Sequence, residues 1–141
     1  MIIILDDGMF TLLYTDGQRG LEICPEWEGS GVHRDDKMHS PSLSWTPVEH
    51  KPGYWVVNLG TLLTHWSDGQ FRSTLHRVMS YGDTRTRYSL PFFYESNIDA
   101  PIRPLSFCKE FSSHKQYDSP KTTGDILIDL AKQAGLELQP V

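Results

Sequence analysis

The sequence is poor in cysteine, and it lacks both long apolar runs and clusters of one charge. Its two cysteines, Cys24 and Cys108, lie far apart and form no CxxC pair, which argues against a disulfide framework or a zinc knuckle and favours reduced, structural thiols. The apolar run at the start, Met1 to Leu5, is too short for a signal-peptide core or a spanning helix. We therefore expect a cytoplasmic protein without a membrane segment.

The distribution of charges argues against a nucleic-acid-binding protein and against a membrane-anchored one. The formal net charge is −5, and the 13 lysines and arginines are scattered along the chain. No basic face for a nucleic acid and no polybasic membrane anchor is expected from this distribution. The 141 residues are 38% hydrophobic and 22% charged, which is typical of one soluble globular domain with its own core.

Most of the chain is predicted to be β-strand. Short apolar or β-branched segments alternate with glycine, proline and aspartate turns. Asp16-Gly17 separates the first two of these segments and predicts a hairpin between them. The polar stretch from Glu26 to Ser42 is expected to be an extended surface loop. The expected strands are Met9 to Tyr14, Leu21 to Cys24, Leu43 to Val48, Tyr54 to Asn58, Leu75 to Val78 and Arg87 to Tyr94, with a short helix over Thr61 to Ser67.

The tail has a different periodicity. Thr122 and Asp125 have the spacing of a capping box, and apolar residues recur with helical period up to Gly135, a candidate C-terminal cap. We predict a helix over about residues 123–134, in a tail that covers residues 98–141 and follows a core of residues 1–97. Short strands followed by a terminal helix favour a mainly β fold of the sandwich or jelly-roll type.

Four polar residues suggest a chemical site. Asp6 precedes a strand and His76 lies in another, and a carboxylate and an imidazole are two of the three ligands of a non-haem iron site. Arg87 and Ser89 should point to the same sheet face, because side chains alternate along a strand. We expect their strand to neighbour that of His76, where they could hold a carboxylate.

Each of these residues also has a structural interpretation when it is taken alone. An aspartate before a strand is commonly a turn or cap residue, and a histidine in a strand is commonly hydrogen-bonded to its neighbours. Arginine alone is commonly found in surface salt bridges. The aromatic residues Trp55, Phe92, Phe93 and Tyr94 are expected in the core or in a pocket wall.

Three segments in order resemble a known family. DDGMFTLLYTDGQRGLEI is similar to an HxDxGxxTLLxxDxxxGLQ segment, PGYWVVNLGTLLTHWSDGQFRSTLHRVMS to PGxxVVNxGDxLxxWTNGxxxSxxHRV, and RYSLPFF to RxSxPFF. The chain therefore resembles the iron(II)/2-oxoglutarate-dependent dioxygenase family, in particular its isopenicillin-N-synthase-like branch. The resemblance covers about Leu5 to Tyr94, and it implies a partial double-stranded β-helix (jelly roll) truncated at its N-terminus.

The resemblance assigns a role to each candidate residue. It makes Asp6 and His76 ligands of Fe(2+), and it makes Arg87 and Ser89 the residues that hold the far carboxylate of 2-oxoglutarate. The family's first metal histidine falls at position 4, where this sequence has Ile4, and Thr61 stands where the family usually has aspartate. The remaining histidines are not at ligand spacing from Asp6; they are His33, His39, His50, His65 and His114.

Three functions are compatible with this pattern. The first is an oxygenase that uses O2 and 2-oxoglutarate to hydroxylate or otherwise oxidise a small organic substrate, with succinate and CO2 as co-products. The second is a truncated or degenerate relative without catalysis. The third is a jelly-roll module that binds a small carboxylate or a partner protein. The substrate and the oligomeric state are left open by the sequence.

Overall fold

Two antiparallel sheets make up most of this protein, whose computed structural model describes residues 2–27, 40–82, 85–111 and 121–133. A small ribbon, a 3₁₀ helix and two α-helices complete it. The elements in chain order are β1 (Ile2–Ile4), β2 (Phe10–Thr15), β3 (Leu21–Cys24), β4 (Thr46–Pro47), β5 (Val56–Leu59), α1 (Thr61–Trp66), β6 (Leu75–Val78), β7 (Ser89–Tyr94), β8 (Pro101–Ile102), a 3₁₀ helix (Ser106–Phe111), β9 (Lys121–Thr122) and α2 (Thr123–Gln133).

The two sheets face each other across a cavity. One has the strand order β1-β6-β3-β4 and the other β5-β2-β7, while β8 pairs with β9. The register places Ile4 and Ile23 on either side of His76 in the first sheet, and Thr11 beside Asn58 in the second. Side chains from both sheets line one cavity of about 370 Å³. The expected mainly β fold with a C-terminal helix is confirmed.

The predicted hairpin between the first two long strands is wrong. β2 pairs with β5 and β7, whereas β3 pairs with β4 and β6 in the opposite sheet. The turn at Asp16-Gly17, where Gly17 has a φ of 87°, carries the chain from one sheet to the other. A turn signature does not distinguish these two outcomes, because it fixes the local bend and not the partner of each strand.

The expectation that the strands of His76 and Arg87 are neighbours is also wrong. β6 lies in the four-stranded sheet, while β7, which follows Arg87, is an edge strand of the three-stranded one. Both side chains nevertheless line the same cavity from opposite walls. His76 and Arg87 can therefore face one ligand without lying on neighbouring strands.

The apolar cores lie outside the space between the sheets. Leu5, Cys24, Trp27 and Leu75 are packed together with partly buried Ile3, Leu43 and Trp45. A second cluster joins α1, β8 and α2 through Leu62, Ile102 and Ile126, so the tail packs on the body of the domain. Cys24 and Cys108 are buried and free, as expected for structural thiols. Because packing is provided elsewhere, the inter-sheet space can stay open for a ligand.

The predicted terminal helix is confirmed as α2. The Asp125 backbone N–H donates to Thr122 Oγ1 over 3.2 Å, and the Thr122 N–H donates to Asp125 Oδ2 over 2.8 Å, which is a reciprocal capping box. The hydrogen bonds that this carboxyl accepts from the N–H and Oγ1 of Thr122 lower the pKa of Asp125. The candidate cap Gly135 and most of the loop from Glu26 to Ser42 lie outside the described residues.

The aromatic residues of β7, and Trp55 just before β5, differ in part from expectation. Phe93 lines the cavity, as expected for a pocket wall. Trp55, Phe92 and Tyr94 are 52%, 56% and 47% exposed, so their predicted burial is wrong. They lie on the face of the three-stranded sheet that points away from the cavity, since they alternate with the cavity-lining residues.

Candidate active site

Asp6 is held in place through both its side chain and its backbone. Its Oδ2 accepts hydrogen bonds from Thr11 Oγ1 (2.6 Å) and Asn58 Nδ2 (2.8 Å). Its carbonyl oxygen accepts from the backbone N–H of Thr61 (2.9 Å) and from Ser73 Oγ (3.4 Å). With Oδ2 satisfied, Oδ1 is the oxygen that faces His76, and it is the carboxylate oxygen through which Asp6 could hold a metal.

A backbone carbonyl group fixes which nitrogen of the His76 imidazole carries the proton. Its Nδ1 lies 3.1 Å from the carbonyl oxygen of Thr74, an acceptor that requires Nδ1 to carry the proton. In the neutral ring, Nε2 then holds the lone pair, as in most metal-binding histidines whose second nitrogen is hydrogen-bonded. The side chain is only 14% exposed.

Asp6 and His76 are close enough to share an ion. His76 Nε2 lies 3.8 Å from Asp6 Oδ1. Two ligand atoms that each bind one metal at about 2.1 Å stand about 3.0–3.4 Å apart, depending on the angle at the metal. A small movement of either side chain brings the pair to that separation. The predicted carboxylate–imidazole pair is thus brought together.

Ile4 lies next to this pair, at the position where the family has its first metal histidine. It is the cross-strand partner of His76, and its side chain lines the same cavity. Directly opposed residues of an antiparallel pair have Cβ atoms about 4.5–5.5 Å apart, so a side chain at position 4 can reach an ion held by His76. Isoleucine has no lone pair to offer, so the site has two protein donors here.

None of the other histidines that the structure describes completes the site. His50 is exposed, and its Nδ1 lies 3.0 Å from Thr15 Oγ1. His65 is part of α1. Across residues 2–27, 40–82, 85–111 and 121–133, no group of three histidine, cysteine, aspartate or glutamate side chains could hold a metal ion. His33, His39 and His114 lie outside those ranges.

Arg87 and Ser89 form the second half of the site. Arg87 Nη1 donates to Ser89 Oγ over 3.3 Å, and both side chains line the cavity that contains Asp6 and His76. Arg87 Nε is buried and has no hydrogen-bond partner. A buried N–H without an acceptor is costly, and a ligand carboxylate would satisfy it together with the other guanidinium donors. This orphaned donor fits a 2-oxoglutarate carboxylate.

Nearby carboxylates shape the charge of the site. Backbone N–H groups of Tyr88 and Gln18 lower the pKa of Asp16, and the positive charge of Arg87 contributes. Asp16 therefore stays ionised and fixes the turn that leads into β7. Burial raises the pKa of Glu95, and the charges of Asp7 and Asp6 add to this effect.

Sequence reasoning missed the groups that hold the metal-facing carboxylate. Thr11, Asn58 and Thr61 were all within the segments used to recognise the family, but no role was expected for them. Thr61 replaces the usual aspartate and still donates its N–H and Oγ1 to the Asp6 carbonyl oxygen. A signal was available, since a threonine and an asparagine on cavity-facing strand positions are polar residues where apolar ones are expected.

A family model agrees with this geometry. The model of the 2OG-Fe(II) oxygenase superfamily matches residues 5–96. Members of this superfamily use Fe(II) and 2-oxoglutarate, so the predicted cofactors are confirmed at the level of the family. The isopenicillin-N-synthase-like branch stays a prediction.

Known proteins give the same result. The chain is 40% identical over 84 residues to homoarginine-6-hydroxylase 2-ODD-233 of Oryza sativa subsp. japonica, covering 56% of this chain and 25% of that protein. It is 35% identical over 128 residues to kihadalactone A synthase LFS of Citrus sinensis, covering 91% and 34%. The rice dioxygenase for auxin oxidation superposes with a TM-score of 0.71 at 22% identity, covering 96% and 41%.

The chain thus spans about a quarter to a third of the length of these two curated relatives. Its family-specific segments, its two facing sheets and its cavity all agree with the match over residues 5–96. This chain belongs to the 2OG-Fe(II) oxygenase superfamily.

Proposed function

We propose that the inter-sheet cavity binds 2-oxoglutarate through Arg87 and Ser89 and a ferrous ion through Asp6 and His76, in the oxidation of a small organic substrate by O2. One observation carries this proposal: both pairs line a single cavity of about 370 Å³. Small-molecule sites have volumes of about 300–1,000 Å³, so the cavity can admit a dicarboxylate. Succinate and CO2 would be the co-products.

The residues of the chain have separate tasks in this proposal. Arg87 binds the far carboxylate with two donors, and Ser89 adds a third. Asp6 and His76 hold the metal, and the hydrogen bonds from Thr11 and Asn58 keep the carboxylate oriented. Leu13 and Ile23 line the cavity and keep water out. When bound, Fe(II) and 2-oxoglutarate supply the oxidising chemistry, which protein side chains lack.

A second function is favoured by Ile4. With an apolar residue at the third ligand position, the chain can retain the carboxylate site while binding iron weakly. It would then be a non-catalytic member of the superfamily that binds 2-oxoglutarate or a related small dicarboxylate. The two functions share the carboxylate site and differ in metal affinity and turnover.

Calorimetry with 2-oxoglutarate tests the shared part of both functions. We expect Arg87→Ala to weaken binding by about 10- to 160-fold, since a hydrogen bond to a charged group contributes about 1.5–3 kcal/mol. Arg85→Ala is the matched control, because Arg85 is an exposed arginine two residues away. Equal affinities of the two variants would remove Arg87 from the site. A folded wild-type chain that does not bind 2-oxoglutarate contradicts both functions.

Succinate formation distinguishes the two functions. In aerobic mixtures with Fe(II) and 2-oxoglutarate, an oxygenase releases succinate even when its own substrate is absent, although slowly. Succinate that disappears in His76→Ala supports the first function. Binding without succinate, in a chain whose fold is intact, supports the second.

The substrate class and the cellular setting are broader proposals. The two relatives are named for different small molecules, homoarginine and kihadalactone A. We therefore propose a small organic substrate without a narrower class. We also propose a cytoplasmic setting with neither nucleic acid nor membrane as partner. Within the part of the chain that the structure describes, no helix is both long and apolar enough to cross a membrane.

A further inference from the structure

Asp16 connects the turn between β2 and β3 to the segment that carries Arg87 and Ser89. Its Oδ2 accepts a hydrogen bond from the backbone N–H of Tyr88 over 2.9 Å, and its own N–H donates to the Tyr88 carbonyl oxygen over 3.2 Å. Its Oδ1 accepts from the N–H of Gln18 over 3.1 Å, which closes the turn. Tyr88 is the residue between Arg87 and Ser89, so Asp16 holds the backbone from which both side chains extend.

These hydrogen bonds extend the order of the sheet toward Arg87. Thr15 and Ser89 are the final pair of the β2-β7 ladder. The two bonds between Asp16 and Tyr88 continue the ladder by one residue, with a carboxylate in place of a strand carbonyl group as one acceptor. Arg87 lies one residue further out and has no ladder partner among the described residues, so its position depends on these two bonds.

The other end of the same turn lies against the side chain of Arg87. Gly20 has a φ of 136°, and a β-carbon there would lie 2.7 Å from the carbonyl oxygen of Met79 and 3.6 Å from Cδ of Arg87. A glycine is needed at this position, because any side chain would overlap the Met79 carbonyl group. The Met79 N–H donates to the Gly20 carbonyl oxygen over 2.9 Å, so this end of the turn is fixed as well.

The hydrogen bonds of Asp16 leave the guanidinium of Arg87 available to a ligand. Each carboxylate oxygen of Asp16 accepts from a backbone N–H. Arg87 Nη1 donates to Ser89, and its buried Nε has no acceptor among the described residues. Asp16 thus has two effects of opposite sign on a bound carboxylate. A fixed position of Arg87 favours the ligand, whereas a negative charge near Arg87 disfavours it.

We propose that Asp16 is a positioning residue for the carboxylate site, which aligns Arg87 and Ser89 with the far carboxylate of 2-oxoglutarate through the backbone of Tyr88. This inference rests on the proposed function, because it requires that the cavity bind this ligand. Binding groups must be held within about 0.5 Å of their productive position, and residues outside regular strands need further contacts to reach that precision. The hydrogen bonds of Asp16 supply those contacts.

Calorimetry with 2-oxoglutarate on the full chain tests this role through Asp16→Asn. The amide removes the negative charge and leaves one acceptor oxygen for two backbone N–H groups. We expect the affinity to fall by about 10-fold, which corresponds to the loss of one hydrogen bond to a charged group. An effect of charge alone would raise the affinity for a dianion. Unchanged or tighter binding in a folded variant would therefore overturn the proposal.

Asp125→Asn is the matched control. Asp125 caps α2 by accepting hydrogen bonds from the N–H and Oγ1 of Thr122, and it is not among the residues that line the cavity. We expect both variants to melt at a lower temperature than the wild-type chain, and only Asp16→Asn to lose affinity. Equal losses of affinity would show that Asp16 acts through stability alone, and they would contradict a positioning role.

A double variant tests whether the effect passes through Arg87. In the Arg87→Ala background, Asp16→Asn should reduce the remaining affinity by less than about twofold, because the group that Asp16 aligns is gone. A further loss of the full size would place the action of Asp16 elsewhere and overturn the proposal. If Asp16→Asn does not fold, Asp16→Ser replaces it with the same expected result, since one hydroxyl takes the place of two carboxylate oxygens.

The same titrations separate this inference from the proposed function. A folded wild-type chain that binds no 2-oxoglutarate would refute both. Binding that is weakened by Arg87→Ala and unaffected by Asp16→Asn would refute the positioning role and leave the proposed function in place.

Discussion

Replacing Ile4 by histidine should complete the metal site. Ile4 is the cross-strand partner of His76 and lines the cavity beside Asp6. Because directly opposed strand residues have Cβ atoms about 4.5–5.5 Å apart, an imidazole at position 4 can reach an ion that His76 binds. Because Asp6 Oδ2 and His76 Nδ1 are already hydrogen-bonded to the protein, the added ligand meets two ligands that are already oriented.

The expected gain in metal affinity can be worked out from the number of ligands. Four-ligand structural zinc sites have apparent binding free energies of about 10–16 kcal/mol, or about 3 kcal/mol for each ligand. The Nε2–Oδ1 distance of 3.8 Å must shorten somewhat on binding, which reduces the gain. We therefore expect Ile4→His to tighten divalent metal binding by about 100-fold, corresponding to about 2.7 kcal/mol.

Titration with Co(II), followed by visible absorption, measures this gain directly. Ile4→Leu is the control, since it keeps an apolar side chain of similar size and adds no donor. Without metal, Ile4→His should unfold at a slightly lower temperature, because apolar burial is lost, and metal should restore it. Equal Co(II) affinities of Ile4→His and Ile4→Leu would refute the placement of residue 4 at the metal.

Three further predictions concern the surroundings of the site. Asn58→Ala should weaken metal binding by about 10- to 100-fold in the Ile4→His background, measured by the same titration, because such outer hydrogen bonds orient the ligand. Gly60→Ala should lower the melting temperature measured by calorimetry, since its Cβ would overlap the backbone carbonyl of Gly8 in the loop that follows the metal-facing carboxylate; an unchanged temperature would show that this loop yields freely. The pKa of Glu22 is lowered by the hydrogen bond from Tyr81 and by the Arg77 charge, so this carboxylate stabilises the fold above the usual value of 4.5 and stops doing so as pH falls below it. Glu22→Gln should therefore flatten the dependence of the free energy of unfolding on pH in this range. An unaltered dependence would contradict the assignment.

The sequence predicted the site better than it predicted the topology. His76, Arg87 and Ser89 were found by their order and their flanking segments, and the structure places all three at one cavity with Asp6. Strand alternation correctly placed Arg87 and Ser89 on one face, since it depends only on local backbone geometry. The capping box of α2 was predictable for the same reason, because it involves residues three apart.

Pairings between distant segments could not be predicted in this way. The turn at Asp16-Gly17 is visible in the sequence, but whether β3 returns beside β2 or crosses to the other sheet depends on partners far along the chain. The exposure of Phe92 and Trp55 was missed because an apolar strand residue normally predicts burial. Burial depends on whether another element packs on that face of the sheet, which the local pattern of apolar residues does not show.

The hydrogen bonds that fix Asp6 were also beyond the sequence. Thr11 and Asn58 come from different strands, and each reaches the same carboxylate oxygen only because β2 and β5 pair in one register. Recognition of a motif identifies the ligands, whereas the residues that orient them follow from the fold.

An anaerobic absorption titration tests the central claim most directly, namely that one cavity holds both the metal and 2-oxoglutarate. A visible charge-transfer band requires both to be bound together in the same site. We predict a weak band when 2-oxoglutarate is added to the chain with Fe(II), a stronger one in Ile4→His, and none when Arg87→Ala is introduced into that variant. A folded Ile4→His chain that develops no band, or one whose band is unaffected by Arg87→Ala, would contradict the account.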